Sequence, residues 1–125
     1  MKVLLDTHCL LWLMQENPRL NRNARSQIAQ ASEVYVSSAS IWEIGIKWRL
    51  GKIEEDPQIV ADQLDAAGLV ELQVTNRHAI ASSRLPLLHN DPFDRILIAQ
   101  AITEPLHLLT TDAHLAAYSQ LVITI

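Results

Sequence analysis

Four carboxylates stand at the ends of apolar stretches and lie far apart along the chain: Asp6, Glu43, Asp94 and Asp112. Asp6 closes the run Val3-Leu4-Leu5. Glu43 sits within Ile41-Trp42-Glu43-Ile44, Asp94 precedes Arg95-Ile96-Leu97-Ile98-Ala99, and Asp112 follows Leu108-Leu109-Thr110-Thr111. A carboxylate beside a buried strand or helix face is unfavourable unless something compensates it. Four such positions suggest one shared partner, and the simplest is a hard divalent cation with oxygen ligands. Gathered without a counter-ion, they would repel by on the order of several kcal/mol at an effective dielectric near ~20. Folds do not collect such charge for stability.

Each acid also has a structural reading. Asp6 suits the cap of a first helix. Glu43 lies three residues after Ser40, as in a capping box, and four before Lys47, as in a helix ion pair. Asp91 and Asp94 frame a helix start, where the dipole favours acids. Asp112 suits the cap of a short helix. Asp91, directly before Pro92, reads first as a cap and second as an auxiliary metal- or water-holding group. Thr7, Ser40, Thr110 and Thr111 are candidates for holding water or phosphate, with capping as the alternative. The histidines His8, His78, His89, His107 and His114 show no zinc-ligand spacing, and one cysteine cannot make a thiolate site. His8 is near enough to Asp6 to border a pocket.

The elements that must position these groups alternate. Residues 2–5 read as a buried strand, and Thr7 as the cap of a helix over His8–Gln15 that stops at Asn17-Pro18. Leu20, Ala24, Ile28 and Ala31 recur at helical spacing, predicting a helix around 21–31. Val34-Tyr35-Val36 is the next strand. The serine-rich corner at 37–40 opens a helix to about Leu50, stopped by Gly51. Asp56-Pro57 starts a helix over 57–67, ended by Gly68. Leu69–Val74 alternates as a strand, and Thr75 caps a helix to Arg84. Asp91-Pro92 starts a helix to Thr103, Leu106–Thr110 is a strand, Asp112–Tyr118 a short helix, and Leu121–Ile125 a last strand. Strands alternating with helices predict a single α/β domain over 1–125, a mainly parallel sheet with helices on both faces. In such sheets ligands bind beyond the carboxyl ends of the strands, where the strand order reverses. Asp6 and Asp112 both follow strands. If those strands are neighbours, the two carboxylates start about 5 Å apart.

Composition narrows the partners. The chain has 125 residues, 49% of them apolar, which excludes disorder. No apolar run reaches the ~20 residues of a membrane span, and the opening Lys2-Val3-Leu4-Leu5 has no signal-peptide layout. The single cysteine, Cys9, suits a reducing cytosol. The net charge of −4 leaves no basic excess to hold a nucleic acid by counterion release. A polyanionic substrate would have to be drawn by metal ions and by local bases among Arg22, Arg25, Lys47, Arg49, Lys52 and Arg95. Ile41, Trp42, Ile46, Trp48 and Leu50 are too many large apolar groups for one narrow helix stripe. They fit either a helix buried on two sides or an exposed patch for a partner or a second copy.

Leu4-Leu5-Asp6-Thr7-His8, Ser40-Ile41-Trp42-Glu43-Ile44, the run from Asp91-Pro92-Phe93-Asp94-Arg95 to Ala101, and Leu109-Thr110-Thr111-Asp112 resemble, in order, the motifs of the PIN-domain ribonucleases. More closely, the chain resembles the VapC-type toxins of bacterial toxin–antitoxin pairs. The resemblance covers essentially the whole chain. It implies a parallel sheet with the first strand near its middle, and an acidic quartet at Asp6, Glu43, Asp94 and Asp112. It also implies one or two magnesium or manganese ions, an RNA substrate, pairing as a homodimer, and a cognate antitoxin that blocks the acidic groove.

The chemistry that such carboxylates support is metal-assisted phosphodiester hydrolysis. Asp6, Glu43 and Asp94 are the expected direct or water-bridged ligands, and Asp112 the ligand of a second or outer position. Asp91, Thr7 and Thr110 are auxiliary candidates. Three rivals remain. A signalling receiver wants an acidic pair after the first strand and a lysine after a late one, and neither is present here. A haloacid-dehalogenase-like phosphatase wants a second Asp two places after Asp6, where His8 stands. A metal-binding scaffold with weak turnover has the same ligands as the enzyme.

Overall fold

The computed structural model describes residues 1–125. Five parallel strands form one sheet: β1 (Lys2–Leu5), β2 (Glu33–Ser37), β3 (Leu69–Leu72), β4 (His107–Thr110) and β5 (Val122–Thr124). The helices between them are α1 (Thr7–Met14), α2 (Arg22–Gln30), α3 (Ser38–Arg49), α4 (Pro57–Gln63), α5 (Asn76–Ser83) and α6 (Pro92–Thr103), with a 3₁₀ turn at Ala113–Ala117.

The strand order is β3-β2-β1-β4-β5. The chain winds outward from β1 through β2 to β3, then returns to lay β4 on the other flank of β1. The order therefore reverses between β1 and β4, which is where ligands bind in open parallel sheets. A receiver domain has its first strand between the second and third. Here β1 lies between β2 and β4, so the receiver reading is excluded by connectivity.

Burial explains why β1 is central. Val3 and Leu5 join the core on one face with Leu10, Val36, Ile44 and Leu69. Leu4 points to the other face and packs with Leu97, Ile98, Leu108 and Leu115. Alternation puts neighbours on opposite faces, so a strand apolar at every position must be covered on both.

Several boundaries differ from expectation. The first helix is capped by Asp6 rather than Thr7: the Asp6 Oδ1 accepts from the Cys9 backbone N at 2.8 Å. Thr7 already has helical backbone, which frees its hydroxyl for another contact. Helix α4 ends at Gln63, four residues short of the expected 67. The segment after it tightens into turns that lead to Gly68, whose φ of +76° only glycine adopts without strain. Strand β3 stops at Leu72, because the Val74 N–H turns to the Ser38 hydroxyl instead of a neighbouring strand. Asp91, as expected, is the N-cap of α6, accepting from Phe93 N at 2.8 Å and Asp94 N at 3.3 Å. Asp112 caps the 3₁₀ turn rather than belonging to it.

No helix is long and apolar enough to cross a membrane. The apolar residues of α3 resolve in favour of an exposed patch: Trp42 is 67% exposed and Leu50 63%, with Ile46 and Trp48 also open.

Candidate metal centre

At the carboxyl ends of β1 and β4 lies a cavity of roughly 460 Å³. Asp6, Glu43, Asp91, Asp94 and Asp112 line it, with Lys47 the one lysine or arginine and Ala113 the one apolar residue. The four expected acids therefore share one cavity, although they come from four separate segments. Asp91 joins them as a fifth carboxylate while it caps α6.

Each acid is positioned by its element. Asp6 is 4% exposed and follows β1 directly. Its Oδ1 caps α1, and its Oδ2 accepts from the Thr110 hydroxyl at 2.6 Å and from Thr111 N at 3.3 Å. Thr110 can reach because Leu5 pairs with Leu109, which sets the next residue of β4 beside Asp6. Glu43, 7% exposed, stands one turn into α3. Its Oε1 accepts from the Thr7 hydroxyl at 2.7 Å, and its Oε2 pairs with Lys47 at 2.9 Å. The Ser40 hydroxyl lies 3.0 Å from the Thr7 hydroxyl, and since the single Thr7 proton goes to Glu43, Ser40 is the donor of that pair. Thr7 and Thr110 thus face carboxylates and hold their orientation. A carboxylate has about four lone-pair sites, so both acids keep acceptor capacity towards the cavity.

Asp94 lies in the first turn of α6. Its pKa is pushed up to about 7 by burial, then by the neighbouring Asp91, with Asp6 and Glu43 adding to the effect and His89 opposing it. Burial is the larger cause, and the crowding of acids adds to it. Asp112 behaves in the opposite way. The His114 backbone N–H, then the side chains of His114 and His89, hold its carboxyl below the usual range. One acid is therefore short of positive charge and another is supplied with donors.

The donor set fits a hard divalent cation. It is rich in carboxylate oxygen, contains no thiolate, and carries more negative charge than Lys47 balances. The lone cysteine is buried behind the site, and burial pushes its thiol pKa far up, so it supplies no ligand.

Of the basic residues expected to attract a polyanion, only Lys47 lines the cavity. Arg25 is turned inward to the carbonyls of Leu20 and Asn17. Arg95 donates to the carbonyls of Ser82, Leu85 and Pro86. Arg22, Arg49 and Lys52 are exposed and lie outside the lining. His8 and His114 border the cavity, as does the backbone-anchored Thr111. Sequence spacing missed His89. It lies on the loop before α6, with Nε2 3.2 Å from Asp112 Oδ2 and 3.4 Å from Asp94 Oδ2. The one available signal was its place just upstream of the Asp91-Pro92 helix start.

A second hollow of roughly 530 Å³ lies beside Trp42, Pro92 and Phe93. Its lining has no titratable side chain, so it is a surface for contact rather than for chemistry. The Trp42 and Phe93 rings meet edge-to-face, with centroids 5.3 Å apart.

Comparison with known proteins finds relatives of the same fold. Ribonuclease VapC22 of Mycobacterium tuberculosis is 28% identical over 122 residues, covering 93% of this chain and 91% of that one. The crystal structure of VapBC2 from Rickettsia felis, bound to a promoter DNA fragment, superposes with a TM-score of 0.73 at 18% identity, over 100% of this chain and 98% of that one. A toxin–antitoxin complex from Klebsiella pneumoniae superposes with a TM-score of 0.69 at 19% identity, over 98% of this chain and 96% of that one. The family model of the PIN domain matches residues 3–121, a span that contains all five cavity carboxylates, and the chain belongs to that family.

Proposed function

We propose that this protein is a metal-dependent endoribonuclease and the toxin of a toxin–antitoxin pair. The observation that carries the reading is the convergence of Asp6, Glu43, Asp94 and Asp112 on one cavity at the reversal of strand order. The likeness to a ribonuclease along nearly the whole chain supports it. Asp6, Glu43 and Asp94 would hold a magnesium or manganese ion, and Asp112 would serve a second ion or the outer sphere. When bound, the cation supplies a water of lowered pKa and offsets charge developing on the scissile phosphate.

The chain's own residues do the rest. Thr110 and Thr111 orient Asp6, and Thr7 orients Glu43. Lys47 is the local positive charge that meets an incoming phosphate, and it is held in place by Glu43. Asp91 fixes the first turn of α6 and so the height of Asp94 in the cavity. Because the acids sit on a rim, only an exposed backbone reaches them, which favours single-stranded or looped RNA.

Incubating the protein with total RNA in magnesium, in manganese and in chelator tests this. Cleavage with either metal, silent in chelator and leaving 5′-phosphate ends, is the expected result. Intact RNA in both metals at high enzyme concentration would reject the nuclease.

The open apolar face of α3 supports two partner assignments, a second copy of the chain and an antitoxin. The second copy is expected to use the Trp42, Ile46 and Leu50 ridge. The wild-type protein should therefore run in gel filtration at about twice its mass of 14.0 kDa. A Leu50→Glu chain should run as a monomer with its helical signal retained. A monomeric wild type would reject the homodimer.

A further inference from the structure

His89 is the histidine whose ring groups with two of the cavity's carboxylates: its ring, Asp94 and Asp112 bring ligand atoms within 4.8 Å of one another. Read by distance alone, that trio is a mixed nitrogen–oxygen metal site. The other ring nitrogen argues against it. His89 Nδ1 accepts the Asp91 backbone N–H at 3.0 Å. A neutral imidazole has one donor and one acceptor nitrogen. With Nδ1 accepting, the proton must sit on Nε2, the nitrogen that faces the two acids. A nitrogen that carries a proton has no lone pair for a cation. Metal-binding histidines show the reverse pattern, with the distal nitrogen donating to a carbonyl or carboxylate.

The ring also stands on a fixed loop. Arg95 gathers the loop that carries it. Its Nη2 donates to Ser82 O at 2.9 Å and Leu85 O at 3.2 Å, and its Nη1 to Pro86 O at 2.9 Å. The same Nη1 lies 3.4 Å from the carbonyl of His89 itself. Tyr118, beyond the 3₁₀ turn, donates its hydroxyl to Pro86 O at 3.0 Å and accepts from Leu88 N at 3.1 Å. The loop is therefore fixed to α6 at one side and to the segment after Asp112 at the other.

We infer that His89 is a positioning residue and not a ligand: its Nε2–H donates to Asp112 and stands 3.4 Å from Asp94 Oδ2, tying the two carboxylates together and leaving an all-oxygen donor set for the cation. This inference rests on the metal-dependent reading above. Each acid keeps a use for its remaining lone pairs, because one hydrogen bond occupies only one of them. Asp94 comes from the first turn of α6 and Asp112 from the cap of the 3₁₀ turn after β4. Packing of Leu97 and Ile98 on Leu108 brings the two segments together, and the ring adds a direct tie between the carboxylates. An all-oxygen set also favours magnesium and manganese over zinc, which prefers nitrogen and sulfur.

The test uses the full chain and has two readouts. The imidazole nitrogen NMR spectrum in chelator should show His89 with Nε2 protonated and Nδ1 bare, and the Nε2 proton should remain when magnesium is added. A proton on Nδ1, or loss of the Nε2 proton on adding magnesium, would overturn the inference. Manganese affinity is the second readout. His89→Ala should weaken it by about 10- to 100-fold, the usual effect of removing a group that orients a ligand. His89→Gln, which can present an amide N–H to the acids and a carbonyl to Asp91 N, should restore most of it. Unchanged manganese affinity in a folded His89→Ala chain would also overturn it, as would an affinity loss that tracks a lower melting temperature in chelator and is not rescued by His89→Gln. If the wild type binds manganese with this pattern yet cuts no RNA, the nuclease reading fails and the clamp stands. If the wild type cuts RNA and His89→Ala binds manganese normally, the clamp alone fails.

Discussion

Asp6→Asn is expected to lower kcat for RNA cleavage by about 1000-fold or more, since several kcal/mol of transition-state stabilisation pass through the ion it would hold. The same change should leave the fold standing. Asparagine keeps an oxygen to cap α1 at Cys9 N, and its amide can donate to a Thr110 hydroxyl that reverses its role. The Thr111 N–H loses its acceptor, and the buried Thr110 hydroxyl, which already accepts from Asp112 N, is left with an unpaired proton, each worth about 1 kcal/mol. Asp6→Ala, by contrast, removes the cap as well and should cost a further ~1 kcal/mol. Rates on a defined RNA, beside urea melts in chelator, separate the two effects. Metal-dependent cleavage by clean Asp6→Asn protein at near wild-type rate would remove Asp6 from the site.

The second large effect is on stability and has a definite direction in pH. The folded protein keeps the Asp94 proton up to about pH 7, whereas an unfolded chain releases it near the ordinary carboxylate value. Between those limits the folded state binds more protons than the unfolded one. Stability of the metal-free protein therefore falls as pH rises through that window, and is lowest above it. Asp94→Asn removes this dependence. In chelator at pH 8 the variant should be more stable than the wild type by roughly 1–2 kcal/mol, after allowing for screening at a partly open site. At pH 4 the two should agree. Saturating magnesium should reverse the order, because a ligand held a hundredfold above its dissociation constant stabilises by about 2.7 kcal/mol, and the variant lacks an anion for it. Paired melts at pH 4 and pH 8, with and without magnesium, check this. A variant several kcal/mol weaker at pH 8 in chelator would assign Asp94 a structural role instead.

How much of this could be read without coordinates depends on how local each signal is. The Asp91-Pro92 start of α6 is a dipeptide with its own backbone geometry, and the helix runs over Pro92–Thr103 as expected. Gly51 marks the end of α3 in the same way. The end of α4 was misplaced because its periodicity continues past Gln63 while the backbone tightens into turns. Asp6 and Thr7 both suit the cap of α1 in sequence, and the choice between them is made by Glu43, a residue of α3 that takes the Thr7 hydroxyl. The acids themselves were legible, because a carboxylate next to an apolar run is conspicuous in any sequence. That they share a cavity was only an inference from alternation until the order of strands put β4 beside β1. His89 was not legible. Its spacing from Asp112 has no periodic meaning, and what brings them together is the pinning of its loop by Arg95 and Tyr118.

The contact between Asp6 and Thr110 spans 104 positions of the chain. Synthesis runs from the amino end, so the central strand leaves the ribosome with its carboxylate long before β4 exists to orient it. A chain arrested short of residue 107 would hold Asp6, Glu43 and Asp94 on an open edge, without the strand that closes the pocket. The acids are therefore joined into one pocket only by the last-made stretch of the chain. Arrested chains of increasing length, tethered through a linker that spans the exit tunnel and assayed against RNA, should stay inert until the 107–112 segment is included.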